Sequence, residues 1–200
     1  MFKEFVIILM TGVLINNYVL QQTIGICPFL GVSKKVDQAV GMGLAVTFVL
    51  VFATAATQPF YEFVLMPLKL EYLSTIAFIL IIASLVQFVE IVLKKFIPAL
   101  YKSLGVYLPL ITTNCIVLAV TIANIDTVGQ SYGFLKAILY ALGSGLGFLL
   151  AMVLFAGVRS KIENCPAPKC FKGVPITLIA ASIVALAFLG FGGVVENLLA

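Results

Sequence analysis

Histidine is absent from all 200 residues, and so is tryptophan. Without histidine the commonest general base and the commonest haem and zinc ligand are gone. A Ser/His/Asp arrangement and a CxxCH haem attachment are excluded with them. Charge is scarce too: 10% of the residues are Asp, Glu, Lys or Arg, against about 25% in a soluble domain. That leaves no stretch able to form a separate soluble domain. The net charge of +4 does not mark a nucleic-acid binder, because the basic residues lie between apolar runs. There is no phosphate-binding loop, and GxGxA at residues 41–45 sits in an apolar run without the βαβ unit that a nucleotide fingerprint needs. Four cysteines remain as the only thiolate ligands.

What the chain does have is apolar length. It is 62% hydrophobic, with a mean hydropathy of +1.21. Charged residues divide it into six long uncharged stretches: 5–33, 38–61, 72–89, 103–125, 137–158 and 173–195. Each has about the length of a membrane-crossing helix, roughly 17–25 residues. The alternating segments of about ten residues that a membrane barrel requires are missing. The expected fold is an all-α membrane protein of six transmembrane helices, residues 1–200 forming one integral membrane domain. The start resembles a signal peptide, with Lys3 before an apolar run and Cys27 after Ile-Gly-Ile. Ile26 is too large for a lipoprotein cleavage site and Pro28 follows the cysteine, so residues 1–29 read as a retained membrane segment.

Basic residues set the orientation. With six crossings, the connections after the first, third and fifth spans share one side. That side holds Lys34, Lys35, Lys94, Lys95, Lys102, Arg159, Lys161, Lys169 and Lys172, and the other only Lys3, Lys69 and Lys136. The richer side is cytoplasmic, which puts both termini outside the cytoplasm.

Two spans are interrupted. Residues 15–35, INNYVLQQTIGICPFLGVSKK, carry Asn16, Asn17, Gln21, Gln22, Gly25, Cys27 and Pro28 where a membrane helix should be most regular. Residues 105–118, GVYLPLITTNCIVL, repeat that character with Gly105, Pro109, Thr112, Thr113, Asn114 and Cys115. Lipid offers no partners to freed backbone groups or amides, so both stretches must be buried against protein or line a cavity. They fall in the first and fourth spans, which open the two groups of three. Three spans per half invert the second half relative to the first. Asn17-Tyr-Val-Leu is echoed by Asn114-Cys-Ile-Val-Leu, and each is followed by a glycine-rich span, with Gly41, Gly43 and Ala45 or Gly143, Gly145 and Gly147. Inverted repeats with matched broken helices, here roughly 1–95 and 100–200, place a site near the midplane. Cys27 is seven residues before Lys34 and Cys115 thirteen after Lys102, hence roughly 10 and 20 Å from the cytoplasmic surface.

Cys27 and Cys115 have two readings. Cysteine packs as a small hydrophobe in membrane helices. Alternatively the two are thiolate ligands of a metal or iron–sulfur centre, with the amides of Asn17 and Asn114 donating to sulfur. Two cysteines are too few for a four-thiolate cluster, so a partner chain would supply the rest. Cys165 and Cys170, in CPAPKC, read as reduced thiols of a cytoplasmic connection. Glu90 reads as an interfacial carboxylate beside Lys94 and Lys95, and the glycines of the second and fifth spans as close-packing positions.

The stretches LINNYVLQQTIGICPFLGVSKK and GVYLPLITTNC resemble the RnfA family, the A-type membrane component of the Rnf complex, a membrane-bound ferredoxin:NAD oxidoreductase. GMGLA (41–45), LVQFVEIVLKK (85–95), GSGLGFLLAMVLFAGVR (143–159) and the PAP…F.G…ITLIAA run (166–181) extend the resemblance over essentially the whole chain. The NqrE component of the sodium-pumping NADH:quinone reductase is similar, but Asn16-Asn17 and Cys27-Pro28-Phe29 favour the Rnf version. The resemblance implies a component of an ion-translocating electron-transport complex in the bacterial cytoplasmic membrane. It implies pairing with a homologous E-type subunit of opposite orientation, alongside the B, C, D and G subunits. It also implies one 2Fe–2S cluster between the pair, with Cys27 and Cys115 as this chain's ligands, and coupling to Na⁺ or H⁺ movement. Flavin is expected on D and G, because this chain lacks their Ser/Thr-Gly-Ala-Thr run.

Two other classes fit the residues alone: an inverted-repeat transporter with incidental cysteines, and a passive membrane scaffold. A transporter would be colourless, whereas an iron–sulfur protein absorbs visible light. The basic-residue asymmetry makes a direct prediction. Reporter fusions at either terminus will score as extracytoplasmic, and a cytoplasmic C-terminus would mean an odd number of crossings.

Overall fold

The computed structural model of the chain describes residues 8–10, 12–13, 17–32, 36–68, 73–96, 114–126, 134–162, 168 and 172–199. Among these residues there are helices and turns but no strand. A short helix α1 (Ile26–Val32) precedes the long α2 (Val36–Phe60). After α2 come α3 (Ser74–Phe96), α4 (Cys115–Asp126), α5 (Phe134–Ile162) and α6 (Val174–Leu199). The chain of α2 runs on through a π-helical turn, Tyr61–Leu65, and a last turn, Met66–Leu68. That change of pairing begins two residues after Pro59, whose ring removes one N–H from the helical ladder. The expected spans 38–61, 72–89, 137–158 and 173–195 thus coincide with α2, α3, α5 and α6, while residues 103–113 lie outside the described ones.

These helices are apolar on more than one face. Met42, Val46 and Leu50 of α2 are fully buried, and so are Phe148, Met152 and Phe155 of α5. Yet α2 also exposes Leu44, Phe48 and Phe52, one turn apart, with the last two rings stacked at 6.1 Å. α3 exposes Ile76, Leu80 and Phe88, and α6 exposes Ile183 and Leu186. A helix that is hydrophobic all round is one that is buried, in the core of a large protein or in a membrane. Val36–Leu65 and Phe134–Ile162 are each long and apolar enough to cross a membrane, and Ser74–Phe88, Cys115–Ile125 and Val174–Gly190 are shorter apolar helices. Hydroxyls on these helices return their protons to the preceding turn: Thr57 Oγ1 donates to Ala53 O at 2.8 Å and Thr121 Oγ1 to Val117 O at 3.0 Å.

α2 and α5 form the centre, with α4 against both, α3 on α2 and α6 on α5. Their crossing is reciprocal. A Cβ placed on Gly43 would lie 3.0 Å from Leu149 Cβ, and one on Gly145 would lie 2.7 Å from Thr47 Cγ2. Gly145 holds in GSGLG the place that Gly43 holds in GMGLA, and Leu149 stands to Gly145 as Thr47 stands to Gly43. The same contact is therefore made twice, and partner numbers fall along α5 as they rise along α2. The two helices run antiparallel where they cross. The other glycines of the α5 motif seat the start of the chain: a Cβ on Gly147 would meet Gly12 O at 2.9 Å, and one on Gly143 would meet Leu9 O at 3.2 Å. Gly43, Gly143, Gly145 and Gly147 are the close-packing positions expected of them. Gly41 is not, having nothing within 4 Å among the described residues.

Alanine at two glycines of α5 will separate packing from helix propensity. Gly147→Ala drives a methyl against backbone, which does not yield, and overpacking of this kind costs about 1–3 kcal/mol. Gly157→Ala meets nothing within 4 Å among the described residues and gains up to ~1 kcal/mol of helix propensity. Thermal unfolding in detergent will show the first variant melting earlier than wild type and the second no earlier.

Candidate functional site

The first break begins at Asn17, whose side chain is buried and fully engaged. Its Oδ1 accepts from the backbone N–H of Val19 at 3.1 Å and of Leu20 at 3.3 Å. Its Nδ2 donates to Gly147 O on α5 at 3.0 Å and to Val13 O at 3.4 Å. One amide thus satisfies backbone groups on both sides of the break and ties it to the next helix. Turn bonds carry the chain onward, from Gln21 N to Asn17 O at 2.9 Å and from Ile24 N to Tyr18 O at 2.8 Å. Tyr18 and Tyr140 share a hydrogen bond between their hydroxyls at 2.9 Å, which pins the turn to α5 a second time. The backbone then enters the left-handed region at Thr23 (φ 55°) and Gly25 (φ 87°) before α1 starts. For Thr23 that conformation is strained, since a β-branched side chain there crowds the backbone. Pro28 falls in the first turn of α1, where a missing N–H costs nothing.

The second break ends at Asn114, also buried. It caps α4: Ile116 N donates to its Oδ1 at 3.3 Å and Val117 N to its backbone O at 3.1 Å. The two breaks meet. A Cβ on Gly25 would lie 3.5 Å from Asn114 Oδ1, 3.5 Å from Phe148 Cε2 and 3.6 Å from Ile116 Cβ. Phe148 is the middle residue of α5 (Phe134–Ile162), so the start of α1 and the start of α4 come together at mid-height of the longest helix.

Cys27 lies in the first turn of α1 and Cys115 opens α4, two residues and one residue from that contact. Neither forms a disulfide, and both are exposed on the surface of the chain. The structure therefore brings the neighbourhoods of the two cysteines together and turns the thiols outward. Asn17 and Asn114 are buried as expected, Gln21 is half-buried and Gln22 is exposed. Glu90 is half-buried on α3 and Lys95 exposed. Cys165, Cys170, Lys34, Lys35 and Lys102 lie outside the described residues, as do 105–113 of the second interrupted stretch. Among the described residues no group of three or more His, Cys, Asp or Glu converges on one point. Sequence reasoning missed Gly12, the Tyr18–Tyr140 pair and the left-handed Thr23. None has a local signature, since each acts through a residue more than a hundred positions away or through a backbone angle.

Residues 5–195 match the family described as "Rnf-Nqr subunit, membrane protein". The chain belongs to the Rnf-Nqr family. It is 53% identical over 195 residues to the A component of the ion-translocating oxidoreductase complex of Syntrophotalea carbinolica, covering 98% of this chain and all of that one. It is 54% identical over 188 residues to the A component of the Na(+)-translocating ferredoxin:NAD(+) oxidoreductase complex of Acetobacterium woodii, covering 94% of this chain and 96% of that one. The corresponding A component of the ion-translocating oxidoreductase complex of Azoarcus sp. is 50% identical over 195 residues, covering 98% of this chain and all of that one.

In this Rnf-Nqr chain Asn17 holds the broken first segment in place, and its removal is measurable. Asn17→Leu keeps the volume but strands the two buried N–H groups of Val19 and Leu20 and removes the bond from the break to the Gly147 carbonyl. Each such orphan costs about 1–3 kcal/mol, so a loss on the order of 3 kcal/mol is expected. Tyr140→Phe removes one shared hydrogen bond and should cost about 1 kcal/mol. Thermal melts of the purified protein will order the three as wild type, then Tyr140→Phe, then Asn17→Leu.

Proposed function

We propose that this chain is the A component of an ion-translocating ferredoxin:NAD⁺ oxidoreductase complex in the bacterial cytoplasmic membrane. In that role it carries electrons across the membrane, coupled to Na⁺ or H⁺ translocation. The observation that carries the reading is the end-to-end likeness to chains of that name, at 53% and 54% identity with those of Syntrophotalea carbinolica and Acetobacterium woodii. The chain acts as one membrane domain of two inverted three-helix halves, roughly 1–95 and 100–200, with both termini outside the cytoplasm. The antiparallel, reciprocal crossing of α2 and α5 supports that arrangement, because inverted halves related by a two-fold axis meet in that way.

Cys27 and Cys115 are this chain's half of a 2Fe–2S site, completed by two cysteines of a homologous E-type subunit of opposite orientation. The B, C, D and G subunits complete the complex. Three features of the chain fit such a half-site. The two thiols flank one contact, at Gly25 and Ile116. Both face outward, where a partner can reach them. Asn114, next to Cys115 in sequence, has its Nδ2 buried without a hydrogen-bond partner among the described residues. When bound, the cluster supplies a one-electron carrier. The chain's own residues do the rest. Asn17 and Asn114 hold the two broken segments in position. The start of α4 presents the positive end of its dipole to Cys115, which favours negative charge on sulfur. Phe148 and Ile116, both fully buried, close the inner side of the junction to water.

Serine at either cysteine tests the assignment. In the complete complex, Cys27→Ser and Cys115→Ser will each abolish the membrane cluster's visible absorption and its paramagnetic resonance signal on reduction. Ferredoxin-driven NAD⁺ reduction will be lost with them, while the components still co-purify. If both variants kept signal and activity, the thiols would be packing residues and a transporter would describe the chain better.

A further inference from the structure

The halves of this chain carry matching asparagines, and the structure leaves them in different states. Asn17 has spent its whole amide, with Oδ1 accepting two backbone N–H groups and Nδ2 donating to Gly147 O. Asn114 has spent only half. Its Oδ1 accepts from Ile116 N, and its Nδ2 is buried with no hydrogen-bond partner among the described residues. Asn114 as a whole is 5% exposed, so water does not solvate the orphan.

A buried amide N–H without an acceptor costs about 1–3 kcal/mol. Among the described residues Thr54 Oγ1, Asn124 Nδ2 and Ser144 Oγ are in the same state, and each such group calls for an explanation; of the four, Asn114 is the one that adjoins a cysteine in sequence. The capping role does not explain it, since serine, aspartate or threonine would cap α4 without carrying an idle N–H. The surroundings narrow the choice of acceptor. Asn114 adjoins Cys115 in sequence, and its amide lies against Gly25, two residues from Cys27. A protonated thiol is a poor acceptor, whereas a thiolate or metal-bound sulfur is a good one.

We infer that Asn114 Nδ2 donates to sulfur at the Cys27/Cys115 site and raises its reduction potential, whereas Asn17 is a structural lock with no donor to spare. This rests on the reading of the two cysteines as cluster ligands. The direction follows from charge. Reduction adds an electron to an already anionic centre, and a donor to sulfur stabilises the more negative state, so removing it lowers the potential. Asn114 acts through the cluster's sulfur and is a positioning and tuning residue.

The test uses the complete complex, with asparagine labelled by ¹⁵N at the side-chain amide. Pulsed paramagnetic resonance on the reduced cluster is expected to show a ¹⁵N coupling that survives Asn17→Ser and disappears in Asn114→Ser. Serine keeps the cap on α4 but has no amide. In a redox titration, Asn114→Ser should lower the reduced-to-oxidised ratio about tenfold at the wild-type midpoint, a shift of about 59 mV for one electron. Asn17→Ser complexes should keep the midpoint and lose thermal stability. Absence of the coupling in wild type overturns the inference even if no variant assembles. So does an Asn114→Ser complex with the wild-type midpoint, or a coupling that vanishes with Asn17. A wild-type complex with no membrane cluster signal at all would instead remove the cluster reading on which the inference stands.

Discussion

A hydrocarbon interior contributes no hydrogen-bond partners, and the rest of this structure answers to that condition. The first segment breaks over residues 17–25, which frees backbone donors and acceptors at mid-height of α5. A break of that kind is tolerable only where protein replaces water. Here the replacement is concentrated in one side chain. Asn17 takes two N–H groups and gives one to the Gly147 carbonyl, so the break is closed internally and anchored to α5 by the same amide.

That anchoring depends in turn on how closely the chain can approach α5. Gly143 and Gly147 let the backbone around Leu9, Gly12 and Val13 lie against theirs, while Gly145, between them, receives Thr47 of α2. Side chains on α5 point in different directions at successive positions, which is why GSGLG serves two neighbours at once. Without a hydrophobic driving force between helices in lipid, close packing and hydrogen bonds are what hold such elements together. The outer faces, with Leu44, Phe48 and Phe52, contribute nothing to that cohesion in lipid and are free to be apolar.

Much of this was legible from the residues. Uncharged stretches marked α2, α3, α5 and α6 because charge is expelled from the hydrocarbon and apolar length is not ambiguous. Asn17 and Asn114 announced their own burial, although Gln22 of the first interrupted stretch is exposed. The glycine motifs announced close packing, with Gly41 as the exception. What stayed hidden was pairing. Nothing near Gly12 says that it meets Gly143, nothing in Tyr18 points to Tyr140, and no local pattern says that Gly25 will touch Ile116. These are products of the three-dimensional crossing. The difference between the two asparagines was equally invisible. NYVL and NCIVL read as one motif twice, and only the geometry shows one amide saturated and the other half-used.

The approach at Gly147 has a further consequence. A Cβ there would fall 2.9 Å from Gly12 O, but glycine carries a hydrogen in that direction, and it is a hydrogen made slightly acidic by the flanking peptide groups. Gly12 itself lies in a π-helical turn. Any side chain at 147 would set its first carbon inside van der Waals distance of that oxygen, so the seat of the broken segment admits one residue type at this position, and the broken segment and α5 are fitted to each other at the scale of a single hydrogen.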